Sequence, residues 1–410
     1  MPVVLALAYA AVTLLRVALA SLNLRHLGRH ARDLPPEFEG VTDAATLEQT
    51  ARYTVERTRL GVVSAVASSI VVLAFVFGGG LSAYDALVGS LVSSFVARGV
   101  VFFVGLGLLS SVLGLPLSIY ATFVLEARYG FNRTTPKLFF VDWLKGLLLG
   151  AVITSALAGG ALGLVHAAPT LYWLWAWLFF CGMSVFLILI SPVVIEPLFF
   201  QFKPLSSEEL ANDARALAER VGVKLERVLE IDASKRSSHS NAYFTGLGRV
   251  KRVVLFDTLL SRMSRSEILA VLAHELGHWK LGHILKRLLV TQAVALLAIY
   301  VASRAIAWPG LPALVGQGEL SFAARAVVLA FLASIGGFFV TPLSALWSRK
   351  HEREADEFAR ELTGQPRELA NALLKLARDN LSNLHPHPLY AAFYYSHPPV
   401  IERVRRLRAQ

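Results

Sequence analysis

Cysteine is almost absent from this chain, and charge is scarce. The single cysteine, Cys181, excludes an intrachain disulfide and any cysteine-built zinc site. Only 17% of the 410 residues are charged while 55% are hydrophobic, and mean hydropathy is +0.54. That balance belongs to polytopic membrane proteins rather than to soluble domains. The chain also lacks a basic-aromatic module, so its net charge of +11 is no signature of nucleic acid binding. Basic loops that set orientation and touch anionic headgroups explain the excess. No internal repeat or low-complexity tract interrupts the sequence.

Hydrophobic runs are abundant. Seven are long enough to span a bilayer, which takes about 20 helical residues: 2–22, 60–80, 98–123, 146–167, 171–196, 285–306 and 321–346. The first lacks a basic leader and a small-residue cleavage site, and Arg16 interrupts it, so it reads as a membrane helix rather than a signal peptide. Lys and Arg crowd the first, third and fifth loops and the C-terminal tail, and nearly vanish from the other loops. The alternation predicts an N-terminus outside and a cytoplasmic C-terminus. Arg16 and Arg325 within spans, and Glu196 at the end of one, mark either snorkelling side chains or a wet interior surface.

The parse gives four regions. Residues 1–200 carry five spans, 201–284 form a soluble loop domain, 285–348 carry spans six and seven, and 349–410 form a cytoplasmic tail. In the loop domain Ser206 and Glu209 predict a capping box, and β-rich pieces follow at 227–231 and 250–256. Ser264 and Glu267 predict a second box, opening the helix that holds the most specific motif of the chain.

That motif is His274-Glu275-Leu276-Gly277-His278. Histidines four apart on a helix differ by about 40° in direction, so both imidazoles reach one metal. Catalytic zinc wants three protein ligands and an open position. His283, nine residues after His274, would point about 180° away on a continuous helix and reads as a non-ligand. Glu352 and Asp356 share a helical face, so one can bind zinc while the other accepts a ligand's free ring N–H. By spacing alone Glu354 and Glu357 remain alternatives. Glu275 is the candidate base: zinc lowers a water's pKa towards about 7, and the glutamate takes its proton and passes it to the leaving amine. His397, before Pro398-Pro399, is the candidate oxyanion donor. Arg403 follows as a substrate-carboxylate or structural partner. Asn241-Ala242-Tyr243-Phe244 is a candidate edge strand for pairing with substrate, though an ordinary hairpin explains it as well.

These residues resemble the integral-membrane zinc metalloproteases typified by the type I CAAX prenyl endopeptidase. Its landmarks are matched by Gly130-Phe131-Asn132-Arg133-Thr134-Thr135 with Asp142 and Lys145, and by Pro197-Leu198-Phe199 with Phe202-Lys203-Pro204-Leu205. Further matches are His239 to Phe244, Val254 to Leu260, His274 to Lys280, Ser348 to Asp356, and Ser396-His397-Pro398-Pro399. The resemblance implies an all-α polytopic membrane protein. Seven transmembrane helices would surround an intramembrane chamber, with a small α/β, gluzincin-like metalloprotease portion on the cytoplasmic side. It implies one catalytic zinc ion, Glu352 as third ligand, Asp356 as the carboxylate behind the ligands or a proton donor, and His397 as stabiliser of the tetrahedral intermediate. Asn241 to Phe244 become the substrate-pairing strand. Family members remove three residues after a prenylated cysteine, and some cut a pheromone precursor or clear clogged translocons. The expected partners are therefore peptides or membrane-associated proteins, prenylated or not, and the lipid bilayer.

Membrane-protein quality control is the alternative within this fold. A non-catalytic zinc-binding scaffold or transporter is the alternative outside enzymes, and it would need ligands but not Glu275. Arginine outnumbers lysine 30 to 10, a bias of GC-rich prokaryotic genomes, which points to a bacterial inner membrane; a eukaryotic source would place the protein in the endoplasmic reticulum.

Overall fold

The structure is a computed structural model that describes residues 1–245 and 251–409. Helices dominate it, and seven are long and apolar enough to cross a membrane: α1 Pro2–His30, α2 Ala44–Phe77, α4 Phe95–Glu126, α5 Pro136–Ala167, α6 Tyr172–Phe199, α9 His283–Ala307 and α10 Phe322–Thr363. A short helix, α3 (Gly80–Leu91), lies between α2 and α4. The most apolar stretch of each span is at most 22% buried inside the protein. Apolar surface so poorly covered by protein needs lipid around it, because water would penalise it. Each predicted span falls within one of these helices apart from one to three residues at an end; the largest overrun is 60–80, which passes the end of α2 at Phe77.

The helices run further than the hydrocarbon requires. α10 continues without a break for 42 residues, so the boundary drawn at 348 falls inside one helix that carries both a span and Glu352. Arg325 caps backbone, donating to the carbonyls of Ile306 and Leu320, rather than lining an interior path. At the same end buried Asp85 accepts from Arg98 at 2.9 Å and from the Ser321 N–H at 2.8 Å, tying α3, α4 and the start of α10 together.

At the opposite end sits the small α/β portion. Its sheet has the order β1-β2-β4-β3, from β1 Phe202–Pro204, β2 Leu225–Ile231, β3 Ala242–Thr245 and β4 Lys251–Phe256. β2 and β4 pair in parallel, and the other two pairs are antiparallel. Helix α7 (Glu208–Glu219) precedes β2, and α8 (Arg265–Lys280) follows β4. The tail adds α11 Pro366–Asp379, α12 Pro388–Tyr394 and α13 Val400–Arg408. One apolar core joins them, with Leu210, Val253, Leu255, Leu272, Leu374 and Val404 at its centre.

The first capping box does not form. Ser207, not Ser206, caps α7 through the Leu210 N–H, because Ser206 Oγ is taken by the carboxylate of Glu230 at 3.0 Å. Glu209 turns instead to Arg265. Part of the polar stretch before β4 and Val250 lie outside the described residues.

Candidate active site

The second capping box is complete: Ser264 Oγ accepts from Glu267 N, and the Glu267 carboxylate accepts from Ser264 N at 2.7 Å. It starts α8, which buries most of one side against the apolar core and presents His274, Glu275 and His278 on another. Gly277 decides how near α10 can come. A Cβ there would lie 3.1 Å from the Phe358 ring and 3.2 Å from the backbone of Ala355, and backbone cannot step aside.

That close approach brings Glu352 to the histidines. His274 Nε2 and His278 Nε2 are 3.3 Å apart. Glu352 Oε2 lies 3.4 Å from the first and Oε1 3.3 Å from the second. One donor atom from each residue falls within 4.8 Å of the others, the donor set of a catalytic zinc site with a position left open. Glu352 Oε2 is buried and has no hydrogen-bond donor, a state that a cation between the three residues would relieve. The residues fit zinc.

A carboxylate stands behind His274, and the His283 ring stands behind His278. His274 Nδ1 faces Asp356 Oδ1 at 2.9 Å, within reach of a hydrogen bond but not aligned for one. Arg403 grips Asp356 with Nε at 2.9 Å and Nη2 at 2.6 Å, and its Nη1 lies 3.7 Å from Glu352. The guanidinium is buried and engaged by these carboxylates, which fits the structural one of the two roles open to Arg403.

His283 is also placed differently from the sequence argument. α8 stops at Lys280, Gly282 takes a left-handed conformation, and His283 opens α9 with its ring folded back. Its Nδ1 is 3.0 Å from His278 Nδ1, and its Nε2 is 3.0 Å from Glu354 Oε2. His283 also stacks on His351, with ring centres 4.0 Å apart and planes 7° from parallel. His283, His351 and Glu354 resemble a second donor set. Parallel rings, however, keep their in-plane lone pairs from meeting at one point. A hydrogen-bond chain from His278 to Glu354 fits the arrangement better than a second ion.

Glu275 is half-buried beside the donor set, and burial raises its carboxyl above the usual range despite the histidines next to it. A carboxylate held that way is a better proton acceptor. His397, just past α12, places Nε2 3.3 Å from Glu352 Oε1, while Nδ1 meets Ser396 Oγ at 2.9 Å.

β3 is the edge of the sheet among the described residues, and it packs against α8. Its Ala242, Tyr243 and Phe244 pair with Leu255, Val254 and Val253, so the hairpin and edge-strand readings of this segment both hold. Asn241 precedes the strand, is exposed, and faces a cavity of about 1160 Å³. Two acids at the ends of membrane helices anchor the segment. Glu196 accepts from Tyr243 Oη at 2.8 Å, and Glu126 accepts from Tyr53 Oη at 2.8 Å and lies 3.4 Å from His239 Nε2. Glu126 closes a π-helical turn and Glu196 directly follows another, a distortion that recurs at functional sites. The landmark at the start of α5 joins them: Asp142, in its first turns, pairs with Arg236, and Phe131, before it, stacks on His239 at 4.1 Å. Sequence reasoning overlooked Glu126, and it weighed His283 and Glu354 only as metal ligands, not as partners behind His278. Gly282 was the available signal for His283, since a helix-ending glycine lets the next side chain turn back.

Two family models account for nearly the whole chain. The CAAX prenyl protease N-terminal model, with five membrane helices, matches residues 23–201, and the peptidase family M48 model matches residues 204–410. The chain belongs to peptidase family M48. A CAAX prenyl protease 1 homolog of Arabidopsis thaliana is 32% identical, covering 91% of this chain and 90% of that protein. CAAX prenyl protease 1 of Saccharomyces cerevisiae is 37% identical over 77% of this chain and 73% of its own. Among solved structures, the crystal structure of S. mikatae Ste24p superposes with a TM-score of 0.92 at 30% identity, covering 99% of this chain and 98% of the other. The M48 protein described here is thus a multi-pass membrane metalloprotease.

Proposed function

We propose that this protease removes the C-terminal tripeptide from prenylated peptides, with His274, His278 and Glu352 holding one zinc ion. The observation that carries the reading is the convergence of those three side chains around Glu275, beside a free strand edge and a cavity. The names of the relatives, CAAX prenyl proteases, supply the substrate class.

Zinc bound there would supply Lewis acidity, acidifying a water and polarising the scissile carbonyl. The protein's own groups do the rest. Glu275 takes the proton of the attacking water and returns it to the leaving amine. Asp356 orients His274 and is fixed by Arg403; with both oxygens engaged and buried, it is a positioning group rather than a proton donor. Ser396 Oγ lies 2.9 Å from His397 Nδ1; in the tautomer where the hydroxyl donates to Nδ1, Nε2–H is left to stabilise the oxyanion. The edge of β3 from Ala242 to Phe244, with Asn241, holds the substrate backbone as an added strand. Tyr243 contributes through backbone, since its hydroxyl is committed to Glu196. The loop charges support an active site and C-terminus in the cytoplasm.

A synthetic farnesylated CAAX peptide tests this. Purified enzyme should release the intact tripeptide. An enzyme that cuts an unprenylated membrane-protein substrate but leaves the farnesylated peptide whole would move the function to quality control.

A further inference from the structure

Arg349 is a buried cation that the mechanism leaves unused. It lies on α10 one turn before Glu352, and its Nη1 donates to the carbonyls of Tyr395 at 2.7 Å and Ala391 at 3.2 Å. No carboxylate lies within 4.0 Å of it among the described residues, and Glu402 on α13 is taken by Arg353. A guanidinium withdrawn from water is costly without an opposite charge, and two carbonyls offset only part of that cost. What those carbonyls belong to therefore matters.

They lie at the end of α12. Ala391 O also accepts from Tyr395 N at 3.0 Å, the bond that closes the helix. An arginine that takes the last carbonyls of a helix satisfies groups with no partner inside it. Tyr395 is extended, and the chain then runs through Ser396 to His397, Pro398 and Pro399. The closure thus falls two residues before the proposed oxyanion donor. His397 is itself exposed, with Ser396 and Glu352 as its polar neighbours. Its ring is not packed into place, so its aim depends on the backbone at either side.

Both sides are tied to one stripe of α10. Arg349, Glu352 and Asp356 stand at i, i+3 and i+7, on a single helical face. Along that face Arg349 holds Tyr395, Glu352 Oε1 lies 3.3 Å from His397 Nε2, and Asp356 is gripped by Arg403. Downstream of His397, Pro398 is buried and Arg403 N donates to Pro399 O at 3.2 Å. Upstream, the tie to α10 is Arg349.

We propose that Arg349 is a positioning residue for the oxyanion step, holding the Tyr395 carbonyl so that the His397 imidazole stays over the zinc site. The inference rests on the proposed role of His397. Arg349 acts through backbone and through that ring alone. Displacing a reacting group by about 1 Å can cost on the order of 100-fold in rate, so a tie of this kind is worth as much as a direct contact.

A double-mutant cycle tests it, with full-length zinc-loaded enzyme and a farnesylated CAAX peptide. Arg349→Met keeps the bulk and loses the donors; it should lower kcat about 10- to 100-fold, with KM within about twofold and zinc content unchanged. In a His397→Ala background the same substitution should cost less than about twofold more, because no ring is left to misplace. Arg349→Lys keeps a donor and should restore part of kcat; it replaces Met in the cycle if the Met variant does not accumulate folded. Losses that multiply in full in the double variant would mean a merely structural arginine and overturn the proposal. Zinc lost along with kcat would mean that it acts on Glu352 instead, and wild-type kcat in Arg349→Met would show that the tie does nothing. If His397→Ala alone leaves kcat unchanged, the oxyanion role of His397 fails and takes this one with it.

Discussion

His278 has one ring nitrogen towards the donor set and the other 3.0 Å from His283 Nδ1. Binding metal through Nε2 leaves the Nδ1 proton to donate, so His283 must accept through Nδ1 and donate from Nε2 to Glu354. The chain fixes one tautomer in each ring. Removing such an outer partner typically costs about 10- to 100-fold in metal affinity. His283→Ala should therefore weaken zinc binding by that order in a chelator competition, with Glu354→Gln milder than Glu354→Ala because the amide oxygen still accepts. Wild-type affinity in His283→Ala would show that the contact does nothing for the metal. Zinc titration also separates this account from a second ion, since the hydrogen-bond chain predicts one zinc per chain.

Helix α8 owes its position to a cap at one end and a glycine in the middle. Ala at 277 would press on the backbone of Ala355, and overpacking of this kind costs about 1–3 kcal/mol. Gly277→Ala should lower Tm and weaken zinc binding together, because the same contact sets the reach of Glu352; lowered Tm with unchanged affinity would uncouple the two. The motif itself was legible because HExxH needs only helical spacing to make sense. Glu352 was harder. Spacing could not separate it from Glu354 and Glu357, because the choice depends on which face of α10 meets Gly277. The spans were legible because lipid demands apolar residues on every outward face. Their true ends were not, since α1, α2 and α10 run on past the apolar stretch as helices packed on protein. Ser206 and Ser207 are equally good caps by sequence, and only the contact with Glu230 across the fold decides between them. The parallel pairing of β2 with β4 was hidden for the same reason, being a contact distant in sequence.

At the scale of the molecule, a membrane bundle carries a small α/β portion at one end, and α10 belongs to both. Glu352 is thereby fixed to the membrane by an unbroken helix instead of a linker. The topology proposed from loop charge puts that end in the cytoplasm. A reporter at the C-terminus should then be active only inside the cell, and one inserted in α3 only outside. The reverse pattern would invert the topology. The central claim is chemical: three residues hold zinc and Glu275 moves the proton. It is tested most directly by measuring zinc content and turnover on the same preparation of Glu275→Gln. The account predicts one zinc per chain, as in wild type, with turnover reduced by about 10³-fold or more, since the glutamine keeps the shape but cannot take a proton. Wild-type turnover in the zinc-loaded variant would contradict it.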